Sequence, residues 1–209
     1  MASVRTFTLP HYPDYPIHIA LFKDVSNAEY LRSKLLEADS AFDYAFLDAT
    51  TVSLFDHDHI ISPTQLLSAA FLALHLHLTS RSKSRTPHSE LVFRLHPNNN
   101  IGESYRKFGI ADSTTSLIAV KLGLAPEITN ESVAKHLGEH VKGESVPLGE
   151  EGQELGQWAD EAKLRKIYKL EPAGGGKPKK GAVNGDGAAL DPRKEMEAVI
   201  LGLMTIKGS

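Results

Sequence analysis

The residues best suited to chemistry lie between Asp56 and His59. Asp56-His57-Asp58-His59 offers two imidazoles and two carboxylates, groups that bind zinc and other divalent ions. On those ligands the chain would be a small metal-dependent hydrolase. The spacing argues the other way, because adjacent residues rarely converge on one ion and alternation parts the aspartates from the histidines. A solvated loop is the plainer reading, and no metal is expected. His75 and His77 stand two apart in a helical pattern, so they point to different faces. Gly174-Gly175-Gly176-Lys177-Pro178 lacks the second spaced glycine and the Lys-Ser/Thr pair of a phosphate loop. There is no Gly-x-Ser-x-Gly elbow. With no nucleophile, base and orienter in view, the expectation is a protein without catalytic residues or cofactor.

Basic side chains are the second source of chemistry. Arg81, Lys83 and Arg85 share one short loop, Arg94, Arg106 and Lys107 belong to the segment after it, and Lys163, Arg165, Lys166 and Lys169 follow later. The first two clusters are expected to approach each other and meet phosphates. The net charge is only −3 and the pI about 6.4, so no overall field draws nucleic acid and any such contact must be local.

Capping and periodicity predict the elements that hold these groups. Ser89 to Leu95 alternates Leu91, Phe93 and Leu95 with Glu90, Val92 and Arg94, which predicts a strand. Pro97 ends it, Asn98 and Asn99 suit a turn, and Asn100 caps a helix with Glu103 reaching back. Ile101, Tyr105 and Phe108 share a face of that helix, and Gly109 is placed for a left-handed C-cap before a second strand. Upstream, Ile17 to Phe22 reads as a strand, Ser26-Asn27-Ala28-Glu29 as a capping box, and Tyr44 to Leu47 as a short strand. Ser62-Pro63-Thr64-Gln65 opens a helix to about Leu78 that is apolar almost all round, hence buried on several sides.

Downstream, Asn130 to Leu137 reads as a helix ended by Gly138, residues 143–156 as loop, and Asp160 to Lys169 as helix. Residues 171–189, rich in Gly, Lys and Ala, are expected to be a flexible insertion. Asp191 and Pro192 start a last helix whose stripe of Met196, Val199, Ile200, Leu203 and Met204 is either core or a partner surface. The elements predict an α/β (mixed α+β) fold with a small mixed β-sheet of about four strands flanked by helices. A single domain over 1–209 is expected, since this length closes a core without staples. There is no cysteine, which excludes disulfides and thiolate metal sites. The longest apolar run, Ala69 to Leu78, is broken by His75 and His77 and falls short of the ~20 residues of a span, so no membrane association is expected.

Several of these segments together resemble the PRPK-binding protein family (TPRKB-like), the CGI-121-type subunits of the KEOPS/EKC complex. The resemblance rests on Glu90-Leu91-Val92-Phe93, Pro97-Asn98-Asn99-Asn100-Ile101, Arg106-Lys107-Phe108-Gly109-Ile110 and Thr115-Ser116-Leu117-Ile118. Leu21 to Ala28, Pro63 to Ala70 and Lys166-Ile167-Tyr168-Lys169-Leu170 add to it, in the family's order. It implies a non-catalytic accessory subunit, cytoplasmic and nuclear, that docks on a PRPK-type atypical kinase and supports its activity. It also implies help in recruiting tRNA by its 3′ end for threonylcarbamoyladenosine modification, with other KEOPS subunits contacted indirectly. On that reading Met196, Val199, Ile200, Leu203 and Met204 are the expected kinase-binding residues. Arg81, Lys83, Arg85, Arg94, Arg106 and Lys107 are the expected tRNA-binding residues. The 50–59 loop and the 171–189 insertion depart from smaller relatives. A metal-dependent hydrolase and a stand-alone RNA-binding protein are the alternatives.

Overall fold

Val4–Leu9 (β1) and Tyr12–Lys23 (β2) form an antiparallel hairpin whose register slips between Phe7 and Leu9. The computed structural model describes residues 1–51, 64–149, 154, 160–170 and 192–207, with the backbone alone for Glu161 and 192–197. The Asp56–His59 cluster and the 171–189 segment lie outside the described residues. Strand β2 continues well beyond the expected Ile17–Phe22 and organises the sheet. Its other edge pairs with Leu117–Leu122 (β4), which in turn pairs with Ala45–Asp48 (β3). Glu144–Val146 (β5) takes up the first edge where β1 stops: Val4 lies opposite Ala20, and Val146 opposite Leu21.

The order is therefore β1-β2-β4-β3, with β5 beside β2, and every pairing is antiparallel. The expected α/β class holds, but the sheet is antiparallel where a mixed one was expected, with five strands among the described residues. Strands β1 and β5 were not expected; β5 has only three residues, half-buried or exposed, inside the expected 143–156 loop.

Alternation along the strands divides the interior in two. Ile17, Ile19 and Leu21 of β2 face one way with Ile118, Val120 and Leu122 of β4. Ala20 and Phe22 face the other with Leu117, Ala119 and Phe46. Both faces are covered, which is why the strands read as nearly continuous apolar runs. Helices Thr64–Leu78 (α2), Pro87–Leu95 (α3), Ile101–Phe108 (α4), Glu161–Tyr168 (α6) and Pro192–Ile206 (α7) contribute to the first layer. Ala28–Leu36 (α1) and Asn130–His140 (α5) cover the second.

Residues 89–95 are the main correction: they lie within helix α3, not in a strand. The alternation misled because all of Glu90 to Leu95 is buried, so the pattern does not mark one wet face. The better signals were Thr86, whose side chain accepts the Ser89 N–H, followed by Pro87 in the first turn. Glu90 and Arg94, one turn apart, pair within the helix.

The expected caps form only in part. Asn100 caps α4 as expected, its side-chain oxygen accepting the Glu103 N–H at 3.0 Å, while the Glu103 carboxylate turns to Arg106 instead of reaching back. Asp160, read from the sequence only as the start of a helix, caps α6 by accepting the Lys163 N–H at 3.1 Å. Helix α1 starts where expected but without the capping box: Asn27 donates to the His140 carbonyl (2.8 Å) and accepts the Lys142 N–H (2.9 Å). Its amide ties α1 to the chain leaving α5.

Two glycines serve contact and not turning. Gly109 has φ −71°, so no left-handed cap forms, yet a Cβ there would meet the Tyr105 carbonyl oxygen at 2.7 Å. Helix α5 runs through Gly138 to His140. A side chain at Gly138 would stand 2.9 Å from the Ala2 nitrogen, where the N-terminus crosses to bond Ala134.

Candidate functional site

A groove of about 870 Å³ opens between the end of α1, the 3₁₀ turn Ser40–Phe42, the start of α3, helix α4 and residues 110–112. Phe42, Tyr44 and Tyr105 give it aromatic walls, and Arg32, Arg85 and Arg106 bring three guanidinium groups. Arg85 and Arg106 belong to separate basic clusters in the sequence, and the fold brings both to this groove. Arg32, which no sequence pattern singled out, reaches the groove from α1 and is held by Asp112 at 3.1 Å. Arg106 pairs with Glu103 on its own helix, and Arg85 makes no ion pair among the described residues. Arg81, Lys83 and Lys107 are exposed but do not line the groove.

Arg94 is a correction. It is 2% exposed, pairs with the fully buried Glu90 (2.7 Å) and donates to the Lys207 carbonyl, so it is not presented to a ligand. Its place on helix α3, and not on a strand, turns it inward.

The wall behind the groove is tied down by Asp43 and His88. Leu122 N–H donates to His88 Nε2 at 2.9 Å, so that nitrogen carries no proton and Nδ1–H donates to Asp43 Oδ2 at 2.9 Å. The imidazole is neutral and both nitrogens are used. Beside it, Ser89 accepts from Tyr105 and bonds Thr86. A serine, a histidine and an aspartate thus lie together without a base available to the serine: this trio locks α3 to β4 and to the groove wall. Burial raises the Asp43 carboxyl, but the hydrogen bonds from His88 and Thr86 and the charge of Lys121 outweigh it and hold it below its usual value. The Lys121 ammonium donates to the Asp43 carbonyl (2.7 Å) and lies over the Tyr44 ring at 4.7 Å.

The C-terminal stripe is split. Ile200 and Met204 are buried in the first core layer, where α7 packs on α2. They are core residues and not surface anchors, because the all-round apolar α2 needs cover on this side too. Leu203 is half-buried and Val199 is 41% exposed; the Met196 side chain lies outside the described residues. Tyr168, from the Lys-Ile-Tyr-Lys segment, is also interior: its hydroxyl accepts from Gln65 (2.7 Å) and donates to the Leu95 carbonyl. Among the described residues, no group of three or more His, Cys, Asp and Glu could hold a metal, and no helix is long and apolar enough to cross a membrane.

Residues 22–208 match the family described as kinase binding protein CGI-121. The chain belongs to that family. It is 57% identical to an EKC/KEOPS complex subunit of Phaeosphaeria nodorum, covering 99% of this chain and 100% of the relative. Its identity to the Aspergillus fumigatus subunit of the same description is 41%, over 99% and 97% of the two chains. The Schizosaccharomyces pombe subunit is 30% identical over 79% and 88%. Membership in this family accounts for the motif order from Leu21 to Leu170. Several of its most recognisable residues, among them Leu91, Phe93, Phe108 and Tyr168, are structural.

The buried histidines of this fold make a pH prediction. Burial is the main cause that lowers the imidazole pKa of His18, His88, His96 and His136 below 6.5. The unfolded chain therefore binds more protons just below that value, and stability falls as pH drops through 6.5 toward the lowered folded values. The thermal midpoint should be lower at pH 5.5 than at pH 7.5, and His88→Gln should flatten that difference. A midpoint unchanged between the two pH values would show that these rings are not held neutral.

Proposed function

We propose that the chain is a non-catalytic accessory subunit of an EKC/KEOPS-type complex. In this reading it binds a PRPK-type atypical kinase, supports that kinase's activity and helps bring in tRNA by its 3′ end for threonylcarbamoyladenosine modification. The observation that carries the proposal is end-to-end similarity to subunits of that description, together with a family described as kinase binding. The neutral, fully engaged His88 is consistent with a site that binds and does not turn over substrate.

The groove suits the RNA part of the proposal. Single-stranded nucleotides are held by aromatic faces, worth about 1–3 kcal/mol per stacked base, and by cations on the phosphates. Half-buried Tyr105 supplies an aromatic side chain and Arg32, Arg85 and Arg106 the cations, while Phe42 and Tyr44 are buried against His136, His140 and Phe46 and shape the wall behind them. Arg81, Lys83 and Lys107 extend the cationic surface outside the groove. For the kinase, the members of the α7 stripe not used up by the core, Val199 and Leu203, are the proposed contact.

Affinity purification from cells is the first test: the kinase and the other complex subunits should copurify. Salt dependence is the second. Binding of tRNA should weaken as salt rises, and the slope of log K against log salt should shrink by about 0.7 for every phosphate the protein ceases to neutralise. The Arg85→Ala/Arg106→Ala variant should therefore show a slope lower by roughly 1.4. An unchanged slope would move the RNA surface away from the groove.

A further inference from the structure

The basic loop 81–85 is shaped by a residue that belongs to another element. Glu90, fully buried on α3, accepts the backbone N–H groups of Lys83 (3.0 Å) and Ser84 (2.8 Å) on Oε2. Its other oxygen accepts from Arg94 at 2.8 Å. Arg94 passes on to the Lys207 carbonyl just beyond the end of α7. The Lys207 ammonium returns to α3, donating to the carbonyls of Phe93 and His96 (2.6 Å) over the Phe93 ring. The loop adds little support of its own: Ser82 and Ser84 bury hydroxyls that have no hydrogen-bond partner among the described residues.

We infer that Glu90 is a positioning residue that couples the posture of the 81–85 loop to the docking of the C-terminal end of α7. Buried charges favour a few discrete arrangements, because an ion left without its partner in this interior is strongly penalised. Loss of the α7 end removes the acceptor of Arg94, and Arg94 is the group that fixes the Glu90 carboxylate under the loop. What holds or shifts α7 therefore changes how Arg81, Lys83 and Arg85 are presented, and by linkage the reverse holds. The functional side of this coupling rests on the proposed function, in which α7 meets the kinase and the loop attracts RNA. The coupling itself rests on the bonds alone.

Hydrogen exchange of the full chain followed by NMR is the test. In Lys207→Met the Lys83 and Ser84 amides should exchange at least tenfold faster, while the Ile19 and Val120 amides of the β2–β4 ladder keep wild-type rates. Arg94→Lys keeps a charge beside Glu90 but offers one ammonium where the guanidinium spanned two acceptors, and it should give the same result. Should Lys207→Met fail to fold, Arg94→Lys decides. Wild-type rates at Lys83 and Ser84 in a folded variant overturn the coupling, whatever α7 does. If those amides respond while tRNA affinity does not, the coupling stands and the RNA role of the loop fails.

Discussion

Arg94→Met should lower the stability of the fold by about 3–5 kcal/mol, the usual cost of removing one partner from a buried ion pair. For a chain of this size that corresponds to a fall of roughly 6–20 °C in thermal midpoint. Methionine fills much of the space, so the loss comes from the Glu90 carboxylate, which is left in the interior with only the Lys83 and Ser84 N–H groups. Adding Glu90→Gln should recover part of it. The amide oxygen still accepts those N–H groups, and no charge remains unpaired. The double variant is therefore expected to be more stable than Arg94→Met alone, an ordering that independent contributions would not produce. Urea midpoints of the wild type, both single variants and the double variant decide it. A destabilisation below about 1 kcal/mol for Arg94→Met would mean that the pair contributes little.

Ile200→Glu is expected to leave the chain insoluble, and Val199→Glu to leave it folded. Ile200 is 1% exposed in the core layer where α7 packs on α2. Truncating such a residue costs about 2–5 kcal/mol, and an unpartnered carboxylate adds its desolvation. Val199, one position earlier, faces outward. There the change should cost stability less than about 1 kcal/mol and weaken kinase binding by at least about 2 kcal/mol, as expected for a contact central to an interface. Solubility, circular dichroism and kinase pull-down on the two proteins separate the effects. A folded Val199→Glu chain that binds the kinase at wild-type strength would move the interface off α7.

The sequence was most legible where side chains signal to their own neighbourhood. Asn100 announced α4, and the apolar run from Ile17 to Phe22 announced a strand. Residues 89–95 misled because a short helix buried all round carries no polar face to set its period. The Glu90–Arg94 spacing was visible, but Lys207 lies more than a hundred residues away and no local pattern could have named it as their partner. The groove was partly legible: Arg85 and Arg106 stood out for their charge. Arg32, Phe42 and Tyr44 follow one another along the chain, but they meet Arg85, Tyr105 and Arg106 only through the fold, because α3 and α4 lie more than forty residues further on. The C-terminal stripe was read correctly as apolar, yet periodicity alone does not say which part of a stripe a neighbouring helix covers.

The pairing of β2 has a consequence for how the chain is made. Its first partner, β1, is already synthesised when β2 emerges, but β4 lies about a hundred residues further on. At translation rates of about 5–20 residues per second, β2 waits roughly 5–20 s for that partner. During that interval the edge from Ile17 to Phe22 presents unpaired backbone beside apolar side chains, the pattern that templates association between nascent chains. Closure of the sheet in this protein is therefore set by a contact distant in sequence, and the nascent chain is open to association until β4 arrives.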